Sequence, residues 1–354
     1  MNQDKEFLVV VLQRTSRALA GYAASSLLEK HPEARASFGP DPLVGWQTWL
    51  TLRVEELASA VAVSRPRLFV SQIQWCKRAL KARGISTESF HQGLKCLREV
   101  LRSELPEQVQ PLAAEYLDHA LEAFDKPQPD ISTRLLPDTD TGRLASSYLL
   151  ALLEGDRRRA SGLILEALDR GFEVRDLYLQ VLLPAQEELG RMWLTNEINV
   201  AEEHFSSQTT KMVMAQLLPR ATLPAPNGKT MLAASVAGNQ HDIGLQAVAD
   251  FFEMDGWRTV LLGADVPAHE LVQAIDYFQA DLLGLSVSQT VQLQAVRTAI
   301  EAIRQNPRGT KVKILLGGRA LDDSESLAME LGVDGYASHP LDAVSLGREL
   351  VGVG

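Results

Sequence analysis

Cysteine is nearly absent: among 354 residues only Cys76 and Cys96 occur, with 19 residues between them and no Cys or His companion at zinc spacing. Neither a disulfide framework nor a structural zinc site is implied, and a reducing, cytoplasmic setting is expected. Long apolar runs are missing as well. The first, residues 7–12, follows Asp4, Lys5 and Glu6 and is too short to span a bilayer or to form the core of an export signal. No membrane partner is expected. Positive charge is scarce, with 35 Lys and Arg against 45 Asp and Glu and a net charge of −10, which argues against a nucleic-acid partner because phosphate neutralisation needs clustered cations in excess. What remains is ordinary for a globular chain: 45% hydrophobic and 23% charged residues exclude both disorder and fibrous repeats.

The charge is unevenly distributed. Residues 1–125 hold 15 basic and 15 acidic side chains, so the whole acidic excess lies downstream. Two proline-bearing polar stretches, Lys126-Pro127-Gln128-Pro129-Asp130 and residues 219–228, read as linkers, since proline removes a backbone donor and biases its predecessor away from helix. Three parts result. Residues 1–125 carry helical periodicity, broken at Gly39-Pro40-Asp41-Pro42 and at Gly84. They predict an all-α domain of five to six helices whose interior includes Phe7, Leu12, Trp46, Trp49, Phe69 and Trp75. Residues 135–218 predict a four-helix bundle, with turns at Gly155-Asp156 and Gly171 and a kink at Pro184.

From residue 229 to 354 the pattern changes to short apolar runs at 231–236, 260–263, 282–286 and 314–317. Amphipathic stretches lie between them near 243–255, 267–279 and 291–305. Alternating buried strands and helices predict an α/β domain with a doubly wound parallel sheet, whose ligands sit at the carboxyl ends of the strands. After the first run comes Gly238-Asn239-Gln240-His241-Asp242-Ile243-Gly244, a polar loop with one imidazole at that edge. Ser286 follows Gly244 after 41 residues, and Gly317-Gly318 follows Ser288 after 28.

This arrangement resembles the flavodoxin-like cobalamin-binding domain of methionine synthase, corrinoid methyltransferase partners, base-off mutases and light-sensing repressors, in which Asp-x-His-x-x-Gly is followed by Ser-x-Leu and Gly-Gly. The resemblance implies that His241 is the lower axial ligand of cobalt. It implies also that Asn239, Asp242, Gly244, Ser286, Ser288, Gly317 and Gly318 surround the cofactor, the glycine pair permitting close backbone approach. Asn239 stands where the family has aspartate and Ser288 where it has leucine. An amide oxygen in place of a carboxylate implies weaker support of the imidazole from its far nitrogen, and so weaker ligation.

Upstream, Trp193 is followed after nine residues by Glu203-His204. A bundle with Trp-x9-Glu-His before a cobalamin domain resembles the cap of adenosylcobalamin photoreceptors, which implies that Trp193, Glu203 and His204 lie over the upper cobalt face. Leu194 stands where those repressors have a histidine, so that position cannot take the upper site. The repressors' winged-helix domain has no counterpart in residues 1–125, and the whole resembles photocobilins, which combine cobalamin with a bilin. Lys77, Arg78, Lys81 and Arg83 near Trp75 offer donors to the propionates of biliverdin or another bilin, or form a solvated helix face. Cys76 and Cys96 offer thioether sites, or are buried small hydrophobes.

The expected function is light sensing: adenosylcobalamin between cap and sheet, a domain rearrangement on photolysis, a homo-oligomer, and an unidentified downstream signalling protein. The alternative is a corrinoid carrier that passes a methyl group between methyltransferases. No Ser/His/Asp or paired-carboxylate constellation stands out, so intrinsic catalysis is not expected.

Overall fold

The structure, a computed structural model, describes residues 2–129, 131–133, 135–136, 138–321 and 324–353; Asp130 of the first linker lies outside the described residues. The chain forms two compact units, Met1–Asp130 and Ile131–Gly354.

The first unit is all-helical: α1 (Asn2–Lys30), α2 (Pro42–Ala62), α3 (Pro66–Ala82), α4 (Thr87–Glu104) and α5 (Gln110–Asp125). Asp41 caps α2 by accepting from Val44 N (3.2 Å), and Gly84, at φ +66°, ends α3 in the left-handed region that glycine enters freely. Leu12, Trp46 and Phe69 are fully enclosed, and Trp46 satisfies its indole N–H on the Ala34 carbonyl at 2.9 Å. Phe7 and Trp75, expected inside, are 41% and 39% exposed. Each sits one residue off the buried stripe of its helix, beside Leu8 and Cys76 respectively.

Within this unit Arg53 and Glu56 form a buried pair, with Nε to Oε2 at 2.7 Å and Nη2 donating to Oε1 at 2.8 Å. Burial pushes the Glu56 carboxyl up to about 7 against the pull of the guanidinium. Cys76 is buried and takes a hydrogen bond from Arg53 Nη1, while burial raises its thiol to about 11; Cys96 is buried too. Low reactivity follows for Cys76, as for a small core hydrophobe. Lys77 Nζ donates to the Phe124 and Lys126 carbonyls, and Arg78 Nη2 to that of Pro129 at 3.4 Å. These two cations of the basic cluster close the end of α5 and the start of the linker.

The second unit begins with the bundle: α6 (Asp140–Leu153), α7 (Arg157–Asp169), α8 (Val174–Leu177), α9 (Leu183–Leu194) and α10 (Val200–Leu217). Asp156 caps α7 through Arg159 N (2.9 Å), after Gly155 at φ +72°. Between α8 and α9 the helix widens into a π turn over Tyr178–Leu182. This turn lies just before Pro184, where a kink was expected: proline offers no N–H to the carbonyl four residues back, and the wider turn accommodates its ring.

The sheet has five parallel strands in the order β2-β1-β3-β4-β5: β1 (Thr230–Val236), β2 (Arg258–Val266), β3 (Leu282–Ser286), β4 (Lys313–Gly317) and β5 (Gly335–Tyr336). Its helices are α11 (Ile243–Glu253), α12 (Ala268–Phe278), α13 (Leu293–Gln305), α14 (Glu325–Glu330) and α15 (Pro340–Val351). α11 and α15 cover one face, α12 and α13 the other. β1 is buried along its whole length, which is why it reads as a continuous apolar run. Bundle and sheet share one core, in which Tyr178, Val181, Met214 and Leu217 meet Phe251, Phe252, Trp257 and Met231. Among the described residues no helix is long and apolar enough to cross a membrane.

Candidate corrinoid site

The strand order reverses between β1 and β3, and the crevice at the carboxyl ends of these two strands is where such a sheet receives a ligand. The loop from β1 to α11 lies there. Gly238 turns it at φ +80°, Asn239 is fully buried beneath it, and His241 is exposed above it. Among the described residues the imidazole of His241 has no hydrogen-bond or ion-pair partner, so both ring nitrogens are available.

Asn239 departs from the expectation set by the motif. Its Oδ1 accepts from the backbone N of His241 at 3.1 Å, and its Nδ2 donates to the Ser286 carbonyl at 3.1 Å. Its amide therefore joins the loop to β3 and does not support the imidazole. Two residues that sequence reasoning missed complete the loop's frame. Asp265, at the end of β2, accepts from Gly238 N (2.7 Å) and from Gln240 Nε2 (3.2 Å). Gln292, 5% exposed, donates to the Gly238 carbonyl (2.9 Å) and accepts from the backbone N of Ser288 (3.2 Å) and Gln289 (3.0 Å).

Ser286 and Ser288 are half-buried at the end of β3, with Ser286 in register with Ser235 of β1 and Gly317 of β4. The smallness of the glycine pair has a nearer cause than a cofactor tail. A Cβ on Gly318, at φ +116°, would stand 2.1 Å from the Val287 carbonyl oxygen, and one on Gly317 would stand 2.7 Å from that of Ala337. The pair lets the loops after β3, β4 and β5 close on one another.

From the bundle side, Lys211 of α10 places Nζ 2.5 Å from Asp242 Oδ1 at the start of α11. The same face of α10 carries Ser207 and Glu203 at successive steps of four residues. Glu203 accepts from Ser207 Oγ at 2.6 Å and its side chain is one-third exposed, at 33%. Behind Ser207 a polar chain runs through Gln186 (3.4 Å) and Thr210 (2.7 Å) to the buried Tyr148 (2.8 Å).

Trp193, near the end of α9, is half-buried against the core shared by bundle and sheet. Its hairpin is pinned by Arg191, which binds Glu188 (2.7 Å) and holds Glu197 by two bonds (2.6 and 2.9 Å), and by the Asn199–Glu202 capping box. These guanidinium bonds, with one from Thr195, hold the Glu197 carboxyl below its ordinary range. His204 is open to solvent: its side chain is 73% exposed, with Nε2 3.6 Å from Glu203 Oε2. Leu194 is buried.

These residues fit a corrinoid on three counts. The His241 imidazole is exposed and unengaged. A Cβ on Gly244, at the start of α11, would meet nothing within 4 Å, so this glycine leaves space that the chain itself does not use. Ser235 Oγ is buried at the crevice without a hydrogen-bond partner among the described residues, the condition of a hydroxyl that a ligand group would satisfy.

Residues 144–218 and 229–345 each match a family model described as a B12 binding domain. A corrinoid protein of Desulfitobacterium hafniense (strain Y51) is 27% identical over 57% of this chain and 94% of its own length. Dimethylamine corrinoid protein 3 of Methanosarcina mazei is 26% identical over 46% of this chain and 95% of its own. The solved structure of the Methanosarcina barkeri monomethylamine corrinoid protein superposes with a TM-score of 0.51 at 20% identity, covering 59% of this chain and 98% of that one, a likeness of fold. The relatives favour the carrier alternative over light sensing. Residues 144–218 and 229–345 of the chain are thus the paired cap and sheet domains of the cobalamin-binding family.

Proposed function

We propose that the chain is a corrinoid carrier: cobalamin sits between the bundle of residues 135–218 and the sheet of residues 229–354, and the protein serves methyl transfer between partner methyltransferases, with residues 1–125 as a separate helical part. The observation that carries this reading is the exposed, unengaged His241 on a fixed loop at the switch point. Relatives named as methylamine corrinoid proteins supply the methyl-transfer class. Bound cobalamin supplies a cobalt centre able to accept and give up a methyl group.

His241 would hold the cobalt through its imidazole. Ser286, Ser288 and the unsatisfied Ser235 would offer hydroxyls to the nucleotide part of the cofactor; Gly317 and Gly318 would leave it space at the sheet edge, and Gly244 leaves room beside the loop. Asn239 holds the loop to β3, and the Lys211–Asp242 bridge fixes the bundle above the loop. Trp193 and Glu203 would cover the cofactor from the bundle side, with His204 nearer the solvent. In this reading the protein holds and presents the group, and the partner enzymes carry out the transfers; the chain associates with itself and with those partners, and with neither nucleic acid nor membrane.

A second reading, light sensing through adenosylcobalamin, draws on the rigid Trp193–Glu203 hairpin, which would border an adenosyl group. A bilin is poorly supported, since Lys77 and Arg78 already serve backbone carbonyls and both cysteines are buried. One experiment separates the two readings: binding of hydroxo-, methyl- and adenosylcobalamin to the full chain in darkness, followed by illumination. A carrier binds the three forms within about tenfold of one another, about 1.4 kcal/mol, and keeps its oligomeric state in light. Preference for the adenosyl form by about a hundredfold or more, with a change of molecular size on illumination, would favour the sensor.

A further inference from the structure

We propose that Asp265 and Gln292 are the positioning residues of His241, an inference that rests on the reading of His241 as axial ligand. The two grip a single residue, Gly238, through the peptide units on either side of it. Asp265 accepts the N–H of Gly238 at 2.7 Å, and Gln292 donates to the carbonyl of the same glycine at 2.9 Å. Asp265 also donates its own N–H to the Asn239 carbonyl at 3.0 Å. Gly238 lies three residues before His241, at the turn of the loop. It has φ +80°, and a Cβ there would meet nothing within 4 Å. Packing therefore does not hold this turn; hydrogen bonds do.

The grip couples three strand ends. Asp265 stands at the end of β2 with φ +57°, a left-handed conformation that aspartate tolerates better than most residues. Gln292 is enclosed, and its carbonyl oxygen takes the backbone N–H groups of Ser288 and Gln289 after β3. The loop that presents the imidazole is thus held by residues 24 and 51 positions beyond His241 in sequence, while Asn239, which the motif suggested for support of the ring, ties the backbone N–H of His241 to the Ser286 carbonyl and leaves the imidazole itself untouched. A ligand imidazole depends on such support for its orientation, and loss of the support shows first in the metal–ligand bond.

The test loads the full chain with cobalamin, reduces it to the cobalt(II) state, and reads the splitting of the electron spin resonance by an axial nitrogen alongside corrinoid affinity. Asp265→Gly keeps the left-handed turn and removes the carboxylate. Gln292→Glu keeps the acceptor for Ser288 and Gln289 and removes the donor to Gly238. Asp265→Asn keeps an acceptor for Gly238 N and serves as the conservative rescue. The proposal expects the ratio of unligated to ligated cobalt to rise about tenfold in the first two variants and to stay near the parent value in the third, with corrinoid affinity changed less than about threefold. A parent that shows imidazole ligation while Asp265→Gly and Gln292→Glu, both folded by circular dichroism, show the same ratio would overturn the proposal alone. A folding failure confined to one variant leaves the other to decide. A parent without imidazole ligation would overturn the reading of His241, and the proposal with it.

Discussion

Tyr178 Oη stands 2.8 Å from Asp250 Oδ2 and 3.1 Å from the Met214 carbonyl oxygen, joining the bundle to α11 where all three are shut off from water. A phenol has one proton and the carbonyl can only accept. Both contacts are hydrogen bonds at full strength when the Asp250 carboxyl is itself protonated and donates to the phenol. Burial, with the nearby charge of Glu253, pushes this carboxyl up to about 7, and burial with the Asp250 charge raises the phenol as well.

The consequence is a pH-dependent stability. The unfolded chain releases the Asp250 proton near pH 4 and the folded chain near pH 7, so the stabilisation from this group is complete below the former and is lost as pH rises to the latter. Urea unfolding of the parent and of Asp250→Asn at pH 7.5 and pH 5 should show the parent gaining about 2 kcal/mol relative to the variant at the lower pH. Parallel changes in the two proteins would contradict the assignment.

Replacing Asn239 by the aspartate of the family pattern should destabilise the cofactor-free protein. Asn239 donates to the Ser286 carbonyl, and a carboxylate would face that oxygen with like partial charge while fully buried. A loss of about 1–3 kcal/mol is expected for Asn239→Asp in denaturant titration, against less than about 0.5 kcal/mol for Asp242→Asn, whose partner Lys211 is partly exposed.

Gly318→Ala tests the closure of the loops at the sheet edge. The new methyl would meet the Val287 carbonyl oxygen at 2.1 Å on a backbone with φ +116°. A loss of about 3 kcal/mol or more in stability is expected, seen equally with and without added corrinoid. A variant as stable as the parent that failed only in corrinoid binding would show instead that the glycine serves the ligand.

Much of this architecture is legible in the amino-acid sequence because buried parallel strands leave a simple trace. The run 282–286 coincides with β3, and β1 and β4 each extend theirs by a single residue. The edge strand β2 is less legible: the apolar run 260–263 is only the middle of Arg258–Val266, whose outer residues are partly exposed and so need not be apolar. β5, two residues long, leaves no pattern. His241 stands out because its loop is contiguous. Asp265 and Gln292 act through hydrogen bonds from distant loops and have no periodicity to reveal them; the one available signal was a carboxylate between Gly263 and Pro267 at the end of a strand. Asn239 shows the converse, since sequence gives its identity and not the direction its amide faces.

The central claim is that the His241 imidazole binds the cobalt of a corrinoid held by this chain. Its most direct test is electron spin resonance of the cobalt(II) cobalamin complex formed with protein labelled with nitrogen-15 at histidine, compared with His241→Ala. Axial coordination by the protein should convert the triplet splitting given by ordinary nitrogen into a doublet, and the doublet should vanish in the variant. A triplet that persists in the labelled parent, or a spectrum unchanged by His241→Ala, would contradict the account.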